Sequence, residues 1–188
     1  MGNSSLGDRI AAIVAEVAPA LPLDQRSHEN EQVFDQRAPW YEKGSAADIY
    51  LSPARLERLA ARHLVPDSGP ILDLACGTGF MGERLAGLGL GPLTGCDLSQ
   101  AMLDRAAQKG VYASLIRADL HQPLPLPPAS FAAAFCAGAF FAESVAPAAL
   151  AHVLPLVQPG GWLICDVELL AWQDEGFAAA FAALHKAG

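Results

Sequence analysis

The chain has little charge, and less of it is positive than negative: 12 lysines and arginines face 20 aspartates and glutamates over 188 residues, a net charge of −8. No run of Lys and Arg forms a stripe, which excludes the backbone-tracking kind of nucleic-acid partner. Cysteine is scarce and scattered. Cys76, Cys96, Cys136 and Cys165 form no Cys-x-x-Cys pair for zinc or redox work, so they read as small buried hydrophobes in a reducing compartment. A long uninterrupted apolar run is also lacking. The stretch from Ile10 to Leu23 is broken by Glu16, Pro19 and Pro22 and has no basic leader, so it fails as a signal peptide and as a membrane span. Leu6 stands where a myristoylation signal wants Ser or Thr. These absences lead to the expectation of a cytoplasmic protein with neither membrane nor nucleic-acid partner. Apolar surface is not lacking. At 52 % hydrophobic residues the chain has too much of it for disorder and enough for one globular domain with an appendage.

Ile10, Ile13, Val14 and Val17 recur at helical spacing, which predicts an amphipathic helix over 7–18, ended by the Pro19–Pro22 break. Residues 24–50 are polar, with Phe34, Trp40, Tyr41 and Tyr50 among the charges: a poor core but a plausible lid. Ser52-Pro53 supplies an N-cap and a first-turn proline for a helix carrying Leu56, Leu59, Ala60 and Leu64. From Pro70 the pattern changes to short apolar runs about twenty residues apart, with helical periodicity between them. Ile71–Ala75, Leu93–Cys96, Ser114–Ala118, Phe131–Ala137 and Trp162–Val167 read as strands. Met81, Leu85 and Leu88 share one helix face. Ser99 caps the next helix, and Leu150, Val153, Leu154 and Val157 share a third face, kinked by Pro155 and stopped by Pro159-Gly160-Gly161. Alternating strands and helices predict an open parallel sheet covered on both faces, with its ligand beyond the carboxyl ends of the strands.

The segment running from Ile71 to Phe80, Ile-Leu-Asp-Leu-Ala-Cys-Gly-Thr-Gly-Phe, is a strand, a glycine turn and a helix start. Gly77 and Gly79 permit a sharp bend and close ligand approach, and the helix offers unpaired amides. Read alone, Gly77-x-Gly79-x-x-Gly82, with Asp97 ending the next strand, also fits a dinucleotide fingerprint. Two classes therefore stand open, a dinucleotide oxidoreductase and a binder of a single nucleoside. Asp73 lies inside the first strand, where a buried carboxylate needs hydrogen bonds from the turn or a ligand. Asp119 ends the third strand on the same rim as Asp97. Neither acid has a role in a dinucleotide site.

These residues resemble the class I S-adenosylmethionine-dependent methyltransferases of small-molecule type, and most of all the Williams-Beuren methyltransferase-like group. The matching elements are Leu72-Asp-Leu-Ala-Cys-Gly-Thr-Gly79, Gly95-Cys-Asp97-Leu-Ser-x-x-Met102-Leu103, Ala118-Asp119-Leu120, Gln158-Pro-Gly-Gly-Trp-Leu and the upstream Val33-Phe-Asp-x-Arg-Ala-Pro-x-Tyr41. The resemblance spans roughly residues 33–170 and implies a Rossmann-like α/β sheet of order 3-2-1-4-5 with an N-terminal helical lid. Residues 1–69 would form the lid segment, and 70–188 the cofactor domain. The implied cofactor is S-adenosyl-L-methionine. Asp97 would accept from both ribose hydroxyls and Leu98 would lie beside them. Asp119 would accept from the adenine amino group, with Ala118 alongside and Leu120 and Met102 on the purine faces. The backbone of Ala75, Cys76, Gly77, Thr78 and Gly79 would line the methionine part, and Asp73 would hold the turn or meet the amino group through water. Cys136 and Ala137 would offer main-chain groups to the same moiety, and Tyr41 would close over it.

Three departures from the resembled pattern stand out. Ala75 replaces a common glycine, a mild change because alanine tolerates ordinary strand geometry. Ala132 stands where an aspartate is frequent. The chain stops at Gly188 after one helix-like segment carrying Phe177, Ala180, Phe181 and Leu184, so the two last strands usual in the family are absent. That leaves one edge of strand 162–167 unpaired, to be covered by a second subunit in a homodimer, by the N-terminal segment or by residues not in this sequence. No catalytic residue is identified. His28, His121 and Glu143 are candidate bases, with His121 expected as a solvated loop histidine. His63, His152 and His185 have no recognisable partners. Trp40, Phe140 and Phe141 form either a substrate wall or core. The leading expectation is methyl transfer to a small-molecule acceptor. The alternatives are a shortened homologue that binds cofactor or partner without transfer and, least, a dinucleotide oxidoreductase.

Overall fold

The computed structural model describes residues 5–17, 23–44 and 52–187, apart from the side chains of residues 24, 43 and 44. Tyr50 and the Pro19–Pro22 break fall outside them. Five strands, β1 (Ile71–Leu74), β2 (Leu93–Asp97), β3 (Tyr112–Arg117), β4 (Phe131–Phe140) and β5 (Val157–Val167), form one parallel sheet in the order β3-β2-β1-β4-β5. Parallel pairing buries both faces of the central strand, and all four residues of β1 are buried.

Around the sheet lie α1 (Leu6–Ala15), α2 (Leu23–Arg37), α3 (Tyr41–Gly44), α4 (Ser52–His63), α5 (Phe80–Gly87), α6 (Gln100–Gln108), α7 (Leu150–Val153), α8 (Leu169–Asp174) and α9 (Phe177–Ala187). Leu72 and Leu74 turn to one face, onto Ile10 and Val14 of α1, Leu150 and Val153 of α7, and Phe177 and Ala180 of α9. Ile71 turns to the other, onto Leu56 and Ala60 of α4 and Met81 and Leu85 of α5. That alternation is the period-2 pattern of a strand buried on both sides. Each fully buried Leu or Phe contributes about 1.5 to 3 kcal/mol.

Local grammar sets the helix starts. Ser5 and Asp8 form a reciprocal capping box on α1, with Asp8 N donating to Ser5 Oγ over 3.1 Å and Ser5 N to Asp8 Oδ2 over 2.9 Å. Ser99 Oγ accepts from Met102 N at the start of α6. Two expectations change. Ser52 is the first residue of α4 rather than its cap, and its hydroxyl donates to Asp166 of β5. The helix expected to run past Val157 is short: α7 gives way at Leu154–Leu156 to a 3₁₀ turn holding Pro155, and Val157 already pairs with Phe131. Pro155 has no amide hydrogen for the α pattern. Gln158–Gly161 therefore forms a register shift inside β5, between the Phe131–Val157 and Ala133–Trp162 pairs. Gly161 is needed there, because a Cβ would collide with the Ala132 carbonyl.

The third glycine of the turn sequence has a packing role. A Cβ at Gly82 would fall inside the Tyr112 phenol, whose hydroxyl donates to buried Asp73 Oδ2 over 2.6 Å. Gly82→Ala is expected to displace Tyr112, break that bond and cost about 2 kcal/mol or more in urea unfolding. A loss below about 0.5 kcal/mol would show that the ring is not anchored there.

Candidate functional site

The carboxyl ends of β1, β2, β3 and β4 open into one cavity. Its wall includes, of the residues singled out in the sequence, Tyr41, Asp73, Ala75, Cys76, Gly77, Thr78, Asp97, Leu98, Met102, Ala118, Asp119 and Leu120. Gly79 and Cys136 are not part of that wall. A Cβ on Gly79 would meet Lys109 and Tyr112 at 3.0 and 3.1 Å, and Cys136 is fully buried in the core. Ala137 and Gly138 line the cavity in its place. The reason is a bulge, since the β4–β5 register shifts between Cys136 and Phe140. Gly138, in a left-handed conformation, donates its amide to Asp166 Oδ1 over 2.7 Å.

The β1 turn is tightly specified. Ala75 has φ +48°, so ordinary strand geometry does not hold there. Alanine in that region costs about 1 kcal/mol that glycine would avoid. Gly77, at φ +54°, lines the cavity with nothing within 4 Å of where a Cβ would lie, so open space reaches the main chain. Its amide donates to Asp97 Oδ2 over 2.8 Å, and Ser99 N donates to Asp97 Oδ1 over 2.9 Å. Asp97 thus ties the first turn to the cap of α6 while facing the cavity. Burial raises its pKa above the usual carboxylate range, opposed by these amides.

Asp73 is buried, and burial pushes its pKa up to about 7, opposed by the Tyr112 hydroxyl and reinforced by Asp97. Its Oδ1 and the Thr78 hydroxyl oxygen are buried at the cavity without a hydrogen-bond partner among the described residues. Such atoms are rare in folded proteins and mark a place where a ligand or water donates or accepts. Burial also raises the Cys76 thiol well above its ordinary value, so it lines the wall as an unreactive group.

Asp119 has a different environment. Its Oδ1 accepts from His121 N over 2.9 Å, and His121 Nδ1 lies 3.3 Å away. Burial alone would raise the acid, but His121 and Ser27 together hold it down to about 2. His121 is therefore buried, not solvated. Its Nε2 accepts from Ala146 N over 3.0 Å, which leaves the proton on Nδ1, facing Asp119 and Ser27 Oγ. With both ring nitrogens engaged it is not a free base. His28 is exposed and bonded to Gln32, and Glu143 is exposed; neither lines the cavity.

Two further groups line the cavity, in which the sequence had marked only Phe34, as a lid aromatic, and Phe141, as wall or core. Ser27, Asn30 and Phe34 lie on α2, at the spacing that puts them on one face. Their neighbours fasten that face down: Arg26 to Glu175 at 3.1 Å, Glu31 to Arg117, and Asp35 to Ser99 Oγ. The second group, Phe141, Ser144 and Val145, follows β4. Carboxylates beyond β4 hold this loop by its amides: Ala142 N to Glu168 Oε2 at 2.8 Å and Glu143 N to Glu175 Oε1 at 3.0 Å. Of the three aromatics left open, Phe141 is wall, Phe140 is core, and Trp40 is 66 % exposed and neither. Among the described residues there is no His/Cys/Asp/Glu group able to hold a metal ion.

Folded Asp73 keeps its proton to about pH 7, whereas in an unfolded chain it releases it near pH 4. Between those values the folded state binds the extra proton, so its contribution is full below pH 4 and is lost as pH rises to 7, at roughly 1.4 kcal/mol per unit. Asp119 acts in the opposite sense, stabilising above pH 4 and failing as pH falls toward 2. Urea unfolding from pH 5 to 8 is expected to show a downward slope that Asp73→Asn flattens. Parallel curves for the two proteins would refute the assignment.

Residues 71–161 match the sequence model of a methyltransferase domain. The human methyltransferase-like protein 27 is 36 % identical over 139 residues, 70 % of this chain and 54 % of that protein. The bovine 18S rRNA (guanine-N(7))-methyltransferase is 38 % identical over 69 residues, 36 % of this chain and 24 % of that protein. The chain thus spans about half the length of the human relative and a quarter of the bovine one. Among solved structures, a putative S-adenosyl-L-methionine-dependent methyltransferase of Methanococcus maripaludis superposes with a TM-score of 0.59 at 18 % identity, over 81 % of this chain and 71 % of that one.

Proposed function

From the premise that this chain belongs to the class I S-adenosylmethionine-dependent methyltransferases, we propose that it transfers a methyl group to a small-molecule acceptor. The observation that carries the reading is the convergence of Asp73, Asp97 and Asp119 on one cavity. The cavity fits the cofactor. Asp73 Oδ1 and Thr78 Oγ wait buried without partners, open space reaches the backbone at Gly77, and three carboxylates suit a ligand with an ammonium, two hydroxyls and an exocyclic amine. A pyrophosphate would meet these same carboxylates, which counts against a dinucleotide.

Each Asp97 oxygen that accepts a backbone amide keeps a second lone pair for the ribose. Asp119 would take the adenine amino group with its charge secured by His121, and Met102 and Leu120 would flank the base. Asp73 would meet the amino acid end, beside the backbone of Ala75, Cys76 and Gly77. Tyr41 would close the cavity from the lid. S-Adenosylmethionine, when bound, supplies a methyl carbon already activated by its positive sulfur, which retains the bonding electron pair as the acceptor's bond forms. The chain then has to align the acceptor and exclude water, with a lost acceptor proton passing to solvent. Phe34, Tyr41, Phe80 and Phe141 provide the apolar wall for that exclusion. An RNA acceptor, as named for the bovine relative, would need cations at the rim. Arg117, at the end of β3, is already paired with Glu31.

We also keep residues 1–69 as lid segment and 70–188 as cofactor domain. The four cysteines are free thiols, which suits the cytoplasm, and no helix among the described residues is long and apolar enough to cross a membrane.

Calorimetric titration is expected to show binding of S-adenosylmethionine and S-adenosylhomocysteine but not NADH. Asp97→Ala should weaken both by about 1.5 to 3 kcal/mol. Tighter binding of NADH overturns the cofactor reading, and cofactor binding with no turnover over a broad acceptor panel points to the non-transferring homologue. The strand β5 pairs on one side only among the described residues, and Trp162 is exposed on it. This supports a homodimer through residues 162–167; sedimentation should then give a dimer, and a stable monomer at high concentration counts against it.

A further inference from the structure

The charge of the cavity wall restricts what can be methylated. All twelve lysines and arginines except Lys43 have described side chains, and none lines the cavity. Several are turned away from it and paired. Arg26, whose neighbour Ser27 does line the wall, directs its guanidinium to Glu175, Arg84 binds Glu57, and Lys109 binds Glu42 and Glu83. His121, the lining residue closest to a cation, already shares its ring nitrogens with Asp119 and Ala146. The residues missing from the description, 1–4, 18–22, 45–51 and 188, include no lysine or arginine.

Sheet order divides the cavity. Asp97 ends β2 and Asp119 lies just past β3 on one side of β1, whereas β4 opens on the other. On that β4 side the wall includes Phe141, Ser144 and Val145, which follow β4, and Pro53 of α4, which packs against β4. These are aromatic and aliphatic faces with the Ser144 hydroxyl as a polar group. Such a surface binds flat or compact apolar bodies and orients them by a few hydrogen bonds. Among the described residues it offers no cationic partner for a phosphate or carboxylate, which would have to shed water beside the wall's own carboxylates with little compensation.

We infer that the acceptor is a non-anionic aromatic or alicyclic small molecule carrying the nucleophilic heteroatom, and that anionic metabolites and nucleic-acid phosphates are excluded by the wall. This rests on the methyltransferase reading for the word acceptor, but the charge preference belongs to the wall itself. The test uses a neutral and an anionic member of two pairs, the near-isosteric 4-hydroxybenzamide against 4-hydroxybenzoate, and phenol against its phosphate ester, phenyl phosphate. Their binding to the full chain loaded with S-adenosylhomocysteine is read by ligand-observed NMR. The neutral member of each pair is expected to bind at least tenfold more tightly. Equal or tighter binding of the anionic member overturns the inference, and so does failure of every neutral member to bind. If S-adenosylhomocysteine itself does not bind, the cofactor reading fails separately, and the same pairs on the unliganded protein still decide the preference of the wall.

Discussion

The carboxylate of Asp97 ties together the two turns that make the cavity. It accepts the Gly77 amide from the turn after β1 and the Ser99 amide from the turn after β2. A buried acid is costly unless its lone pairs are used. Here each turn donates one hydrogen bond to one of its oxygens, and the donating amides become fixed in direction. The main chain at Gly77 can then face open space without collapsing into it, and the cap of α6 is held at the same depth. Asp73 complements this from below, its second oxygen taken by Tyr112 across the face where Gly82 leaves room for the ring.

The far side of the cavity is built by the same chemistry in another part of the chain. Backbone amides at Gly138, Ala142 and Glu143 are received by Asp166, Glu168 and Glu175. The loop carrying Phe141, Ser144 and Val145 is thus shaped from the C-terminal segment that follows and includes the end of β5. Glu175 also receives Arg26 of α2, so α2, the loop and the C-terminal helices meet at one carboxylate. That pair is nearly buried, with side-chain exposures of 13 % and 11 %. A buried ion pair contributes little net stability but penalises arrangements in which either partner is left alone. Its role here is to define where α2 sits.

Much of the core was legible in the residues. The strand–helix alternation from Pro70 onward corresponds to the sheet and its order, and the Ser99 cap is where the spacing put it. The least legible part was the segment after Leu150. Proline and two glycines read as a helix stop, but Val157 had already joined β4, and those residues became an irregularity within β5. His121 was misjudged because a histidine next to a proline in a polar loop carries no local sign of burial. What buries it is Ser27 from α2, 94 positions earlier in the chain. Ala75 looked harmless because substitution by a small residue says nothing about φ until the turn is built.

The amino-acid sequence by itself determined the alternating elements, the glycine turn and the three acids on neighbouring strand ends. Periodicity, capping and turn chemistry act over a few residues and leave their mark there. Only the tertiary structure decided which atoms of those acids remain open and that Cys136 turns into the core while Gly138 faces the cavity. It likewise decided that α2 and the loop after β4 complete the wall. Those outcomes depend on groups as far apart as Arg26 and Glu175, 149 residues along the chain. Their meeting is set by how the layers pack, and no local pattern encodes it.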